Sequence, residues 1–201
     1  MCGRYYVDDE TAREIEKLVN EISSTLHQKG SKRDIHPSEP STVLTAFKGS
    51  LHMEEKLWGF PGYHGKELII NARSETALTK STFRDSVLNR RCVIPVAGFY
   101  EWNSSKEKAA FYREDSSLLF LAGFYKQFPD SDHFVILTSP ANESMIEVHD
   151  RMPLILEREE VFPWITDSRK TEELLLKKPC SLKKDMAYEQ LCLHDFTGDL
   201  T

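Results

Sequence analysis

The chain has 201 residues, of which 40% are hydrophobic and 29% charged, with four cysteines and a formal net charge of −6. That balance fits one globular domain, residues 1–201, large enough to bury a real core; no run has the length and apolarity of a membrane span or the pattern of a secretory signal, so a soluble cytoplasmic protein with no membrane partner is expected. The acidic charge excludes a broad nonspecific nucleic-acid surface and leaves room only for a local basic patch.

The opening CGRYYV reads as a strand, and DDETAREIEKLVNEISSTL places Ala12, Ile15, Leu18, Val19, Ile22 and Leu26 on one face of a helix capped by Asp8 or Asp9. HQKGSKRDIHPSEP, with its glycine, two prolines and charges, reads as a surface loop. Short extended segments then dominate: STVLTAF, LHMEEKLWGF, ELIINA, RCVIPVAGFYEW, SLLFLAGFYK, HFVILTS and RMPLILE. Helices are expected at STFRDSVLNR, ANESMIEVH, EREEVFPWI and TEELLLKK, and a partly disordered tail at about 192–201. Many strands with helices inserted irregularly predict an α+β fold, with a largely antiparallel, barrel-like β core and flanking helices. The chain carries no GxGxxG or GxxxxGK[ST], and its cysteines (Cys2, Cys92, Cys180, Cys192) lack CxxC spacing or a zinc-finger arrangement with histidine, so neither a cofactor nor a structural metal is expected.

Four places carry chemistry. Removal of Met1 ahead of a small residue would leave Cys2 with an α-amine and a thiol on adjacent carbons, a 1,2-aminothiol that closes a five-membered thiazolidine on an aldehyde. In ELIINARSET an apolar run ends at Asn71, which offers a donor and an acceptor, and Arg73 follows with a fork for phosphate; helix capping is the plainer role for Asn71 or Ser74. In RCVIPVAGFYEW the strand ends in Glu101 between Tyr100 and Trp102, where a partly desolvated carboxylate suits a general acid or base, although a surface glutamate fits the same pattern. In ANESMIEVHDRMPLIL, His149 precedes Asp150, which could orient the imidazole; spacing alone does not separate it from the other six histidines.

MCGR, the WG of LWGF, INARSET, AGFYEW and the stretch from LTSPAN to HDRMP, in that order, resemble the SOS response-associated peptidase (SRAP) family, across roughly residues 2–156. The resemblance implies a protein that processes abasic sites in single-stranded DNA and becomes covalently linked through its N-terminal cysteine. By that resemblance Cys2 is the nucleophile, Asn71 positions the amine or sugar, Glu101 is the acid and base for ring opening, and His149 assists proton transfer. Arg4 and Arg73 would contact phosphates, joined by Arg84 from the FRDS segment, and Thr138 falls where the family lines its site. Where relatives often carry tryptophan after the WG strand this chain reads PGYHGK, so Tyr63 and His64 would supply the stacking surface. The expected partner is single-stranded DNA bearing abasic sites, bound by a monomer. Two other readings remain at this point: a thiol peptidase acting on its own N-terminus through Cys2, Glu101 and His149, with lyase activity also implied by the family, and a noncatalytic DNA-binding module.

Overall fold

The computed structural model describes residues 2–11, 13, 15, 33–62, 67–116 and 118–186. In chain order its strands are β1 (Arg4–Val7), β2 (Arg33–Ile35), β3 (Pro40–Phe47), β4 (Ser50–Trp58), β5 (Phe60–Pro61), β6 (Leu68–Ile69), β7 (Asn71–Arg73), β8 (Arg91–Val96), β9 (Gly98–Trp102), β10 (Lys108–Tyr112), β11 (Leu119–Gln127), β12 (Asp132–Pro140), β13 (Arg151–Pro153), β14 (Ile155–Leu156) and β15 (Lys183–Met186). The helices with both ends described are α1 (Ser81–Asn89), α2 (Arg158–Thr166) and the single turn α3 (Thr171–Leu175). The N-terminal helix begins at Asp9 and buries Ile15, whereas Ala12, Leu18, Val19, Ile22 and Leu26 of its expected apolar face, like the expected disordered tail, lie outside the described residues.

The larger sheet closes on itself. β12 pairs with β4, β4 with β3, β3 with β8, β8 with β11, and β11 again with β12. The α+β expectation with a mostly antiparallel barrel therefore holds; the exceptions are β4 and β7, which both run parallel to β12. Turn chemistry sets the register of the β3–β4 hairpin: its two connecting residues, Lys48 and Gly49, both take positive φ (50° and 82°), the twist a two-residue loop needs. Gly123 on β11 is fixed by packing, because a Cβ there would lie 2.6 Å from Ile94 Cδ1 and 2.7 Å from the Val135 carbonyl oxygen.

The period-two alternation of these strands gives the wall two apolar faces. Val93, Phe120, Ala122, Phe124, Val135 and Leu137 pack with Phe83 and Val87 of α1 and with Val161 and Trp164 of α2. The alternate residues Cys92, Ile94, Leu119, Leu121, Phe134 and Ile136 pack instead with Tyr5, Phe99, Ala109 and Phe111 of a second sheet, ordered β15-β10-β9-β1-β2. The run RCVIPVAGFYEW, expected as one strand, divides at Ala97, whose N–H donates to the Tyr6 carbonyl (2.9 Å); β8 remains in the barrel and β9 crosses to the second sheet. That crossing carries Glu101 to Cys2. On the helix side, buried Arg91 donates to the carbonyls of Val87 and Leu88 at the end of α1 and of Trp164 and Ile165 at the end of α2, so one guanidinium caps two helices.

Candidate functional site around Cys2

The antiparallel register of β1 on β9 sets Arg4 opposite Tyr100, which brings the residues preceding Arg4 alongside Glu101 and Trp102. Phe99 and Glu101, two residues apart, share the strand face that packs against the core, so the carboxylate is carried inward at 3% exposure. Cys2 is likewise buried, at 1% exposure, and its Sγ lies 3.8 Å from the Arg4 carbonyl oxygen. Burial, reinforced by the charge of nearby Glu101, pushes the thiol far above its ordinary pKa. The resting sulfur is therefore protonated, and any step that uses it needs a proton acceptor.

Asn71 begins β7, whose middle residue, Ala72, turns into the helix-side core. Alternation directs Asn71 the other way, and its Nδ2 donates to the Cys2 carbonyl at 2.8 Å. The amide's Oδ1 is buried with no hydrogen-bond partner among the described residues. An acceptor is thus left beside the backbone of Cys2. Arg73, two residues on, is exposed and makes no ion pair among the described residues. Arg4 sits 5.3 Å from the Trp102 ring centroid and 3.7 Å from Asp34 Oδ2, with a third of its side chain exposed.

His149 stands at the close of a turn that spans 143–148, one residue after Val148, which packs in the same cluster as Cys2. The helix expected over ANESMIEVH is not formed. Asn142 Oδ1 accepts from the Ser144 N–H and hydroxyl, as a helix cap would, while its Nδ2 donates to the Pro179 and Cys180 carbonyls; beyond it only isolated helical turns form, with Ile146 N–H to the Asn142 carbonyl and His149 N–H to the Met145 carbonyl. The imidazole Nδ1 lies 2.9 Å from the Arg151 backbone nitrogen, whose N–H can donate to it, and 2.9 Å from Asp150 Oδ1.

Cys2, Asn71 and Glu101 are brought together, with Arg4 adjoining through β1. Thr138 is buried on β12, where its hydroxyl and carbonyl accept from Arg151. Arg84 is exposed on α1, whose buried residues belong to the opposite face of the wall, and no hydrogen bond or ion pair among the described residues ties it to Cys2. Tyr63 and His64 lie outside the described residues. Reasoning from sequence passed over Glu75 and Arg151, which form a two-pronged ion pair (2.7 and 2.9 Å) between INARSET and HDRMP. Opposite charges inside the two site motifs were the available signal.

The barrel thus seats an N-proximal cysteine beside an asparagine amide and a buried carboxylate. The sequence matches the SOS response associated peptidase (SRAP) family over residues 1–192, and the chain belongs to that family. It is 26% identical over 176 residues to the abasic site processing protein YedK of Escherichia coli (strain K12), covering 82% of this chain and 79% of that protein. It is 34% identical over 185 residues to the abasic site processing protein YoqW of Bacillus subtilis (strain 168), covering 82% and 80%. The fold also resembles solved proteins from Bordetella bronchiseptica (TM-score 0.75, 23% identity, 92% of this chain and 99% of that one) and Bacteroides thetaiotaomicron (TM-score 0.76, 19% identity, 92% and 91%). No helix among the described residues is long and apolar enough to cross a membrane.

Proposed function

We propose that this protein binds abasic sites in single-stranded DNA and forms a thiazolidine crosslink through Cys2 once Met1 is removed. The observation that carries the reading is the convergence of Asn71 and Glu101 on Cys2, in a chain whose curated relatives are abasic site processing proteins. The Cys2 amine adds to the ring-opened sugar aldehyde to give a carbinolamine, loss of one water gives the imine, and sulfur adds to the imine carbon as its proton returns to nitrogen. Every step moves a proton. Glu101 is the group proposed to relay them, since a protonated thiol needs a base at ring closure and the departing hydroxyl needs an acid. Asn71 holds the Cys2 carbonyl with Nδ2, which leaves Oδ1 to orient the freed amine. His149 assists through Nε2, and Arg73 with Arg4 holds flanking phosphates.

The second reading is a thiol peptidase that acts on its own N-terminus through Cys2, Glu101 and His149, and it predicts no linkage to DNA. The test is a denaturing gel of protein incubated with single-stranded DNA bearing one abasic site, with intact mass confirming loss of Met1. A heat-stable band is expected from the untagged protein and none from Cys2→Ala or from protein bearing an N-terminal tag. Equal yields from tagged and untagged protein would overturn the thiazolidine.

A further inference from the structure

Arg151 is nearly buried on β13, and its guanidinium reaches across β12 to the turn that follows β7. Nη1 and Nη2 meet the two Glu75 oxygens at 2.7 and 2.9 Å, and Nη2 also donates to the Thr138 carbonyl and, at 3.3 Å, to its hydroxyl. Both ends of this clamp adjoin proposed site residues. Glu75 lies two positions beyond Arg73 and four beyond Asn71, while Arg151 lies two beyond His149 and gives its own N–H to the imidazole Nδ1. Asp150 Oδ1 also stands 2.9 Å from that Nδ1, so two neighbours favour opposite tautomers: the Arg151 N–H leaves the ring proton on Nε2, and the carboxylate draws it to Nδ1.

We propose that Glu75 is a positioning residue: by holding Arg151 it keeps that N–H on Nδ1, which fixes the His149 tautomer and the distance of the imidazole from the Asn71 strand. The inference rests on the proton-transfer role proposed for His149. Glu75 itself touches no DNA. A carboxylate two residues from Arg73 opposes the approach of phosphate, so a role in DNA affinity and a role in positioning predict opposite signs when its charge is removed.

Glu75→Gln keeps the shape and removes the charge, and three measurements read it. Long-range proton–nitrogen correlation spectra, with the His149 signals assigned by their loss in His149→Asn, should show the Nε2–H tautomer in the wild type and a mixture in the variant. Single-turnover adduct formation at saturating abasic DNA should fall about 10- to 100-fold, the range for a catalytic group displaced by about an ångström, with a changed pH profile. Noncovalent affinity for intact single strands should be unchanged or tighter. Glu75→Asp, with the charge retained on a shorter arm, should shift the tautomer less and serves if the glutamine variant does not fold. A wild-type tautomer in either variant overturns the proposal, as does weakened DNA binding with an unchanged rate, which would make the pair part of the phosphate site. Absence of any adduct in the wild type would instead reject the thiazolidine reading, and the tautomer spectra would still decide the role of Glu75.

Discussion

On the helix-covered face of the barrel wall, Arg91 is surrounded by carbonyls of Val87, Leu88, Trp164 and Ile165, and the Trp164 indole N–H donates to the Cys92 carbonyl at 3.0 Å. On the other face, Asn71 makes one bond to Cys2 and leaves Oδ1 without a partner among the described residues, and the Nε atoms of Arg4 and Arg151 are left the same way. Buried polar groups are nearly always paired in native structures, so the open Asn71 Oδ1, on the side chain that bonds Cys2, is a bond left for a ligand to complete. The helix-covered face satisfies its buried guanidinium, and the Cys2 face leaves an acceptor open beside the proposed nucleophile. Substitutions should separate the two, one class changing stability without chemistry and the other chemistry without stability.

The largest separation is expected at Glu101. Glu101→Gln preserves shape but cannot relay a proton, so single-turnover adduct formation should slow by about 10²- to 10⁴-fold while the melting temperature moves little. A rate within twofold of wild type would remove Glu101 from the chemistry. Next comes Arg91→Met, which strips the shared cap from two helix ends and should cost about 3 kcal/mol, the scale of hydrogen bonds to a charged donor together with carbonyls left bare. In thermal melting that corresponds to a fall of roughly 6–12 °C for a chain of this size. The adduct rate per folded molecule should not change; if it fell in proportion, the two faces would be coupled after all.

The separation was only half visible beforehand. Apolar alternation marks the strands of the wall plainly, and the motifs around Cys2, Asn71 and Glu101 mark three residues that do meet. The division of RCVIPVAGFYEW was hidden, because its apolar character runs unbroken through Ala97 and the break is set by the Tyr6 carbonyl, a contact from a distant strand. β15 was missed for the converse reason: KKDM is polar, and it forms a strand through its pairing with β10. ANESMIEVH has helical spacing, and its asparagine caps it, yet Asn142 and Ser144 are also tied to the 179–182 segment and only isolated helical turns form. Glu75 and Arg151, separated by 76 positions, each pass for an ordinary surface ion until the fold joins them.

A smaller effect should appear in acid. Burial alone would raise the Glu75 carboxyl, but the hydrogen bonds and charge of Arg151 outweigh it and hold the group below its ordinary pKa. Its contribution to stability is therefore complete above the unfolded value, near 4.3, and is lost as pH falls through the lower folded value. Because 38% of that side chain is exposed, the contribution should be under about 1 kcal/mol after solvent screening. Denaturant unfolding from pH 6 down to pH 2 should show the wild type losing its advantage over Glu75→Gln as the carboxyl protonates. Parallel curves would mean that the pair is electrostatically neutral to folding.

The smallest expected effect tests whether the Cys2 face meets DNA through few cations. With a net charge of −6, long-range attraction is weak, and among the proposed contacts Arg73 is exposed with no ion pair among the described residues, whereas Arg4 is shared with Asp34 and Trp102. Each phosphate neutralised on a single strand adds about −0.7 to the slope of log affinity against log salt, so two or three contacts give a slope near −1.4 to −2.1. Arg73→Ala should make that slope shallower by about 0.7 and weaken intact and abasic strands alike, because a phosphate contact positions the strand without reading a base. Cys2→Ala should leave the noncovalent slope as it was, and Arg84→Ala should as well, since Arg84 stands on a helix that packs against the other face of the wall. Fluorescence anisotropy over a salt series with an uncleaved strand measures all three. A slope that responds to Arg84 and not to Arg73 would carry the DNA across the helix-covered face, and the division of labour between the two faces would have to be redrawn.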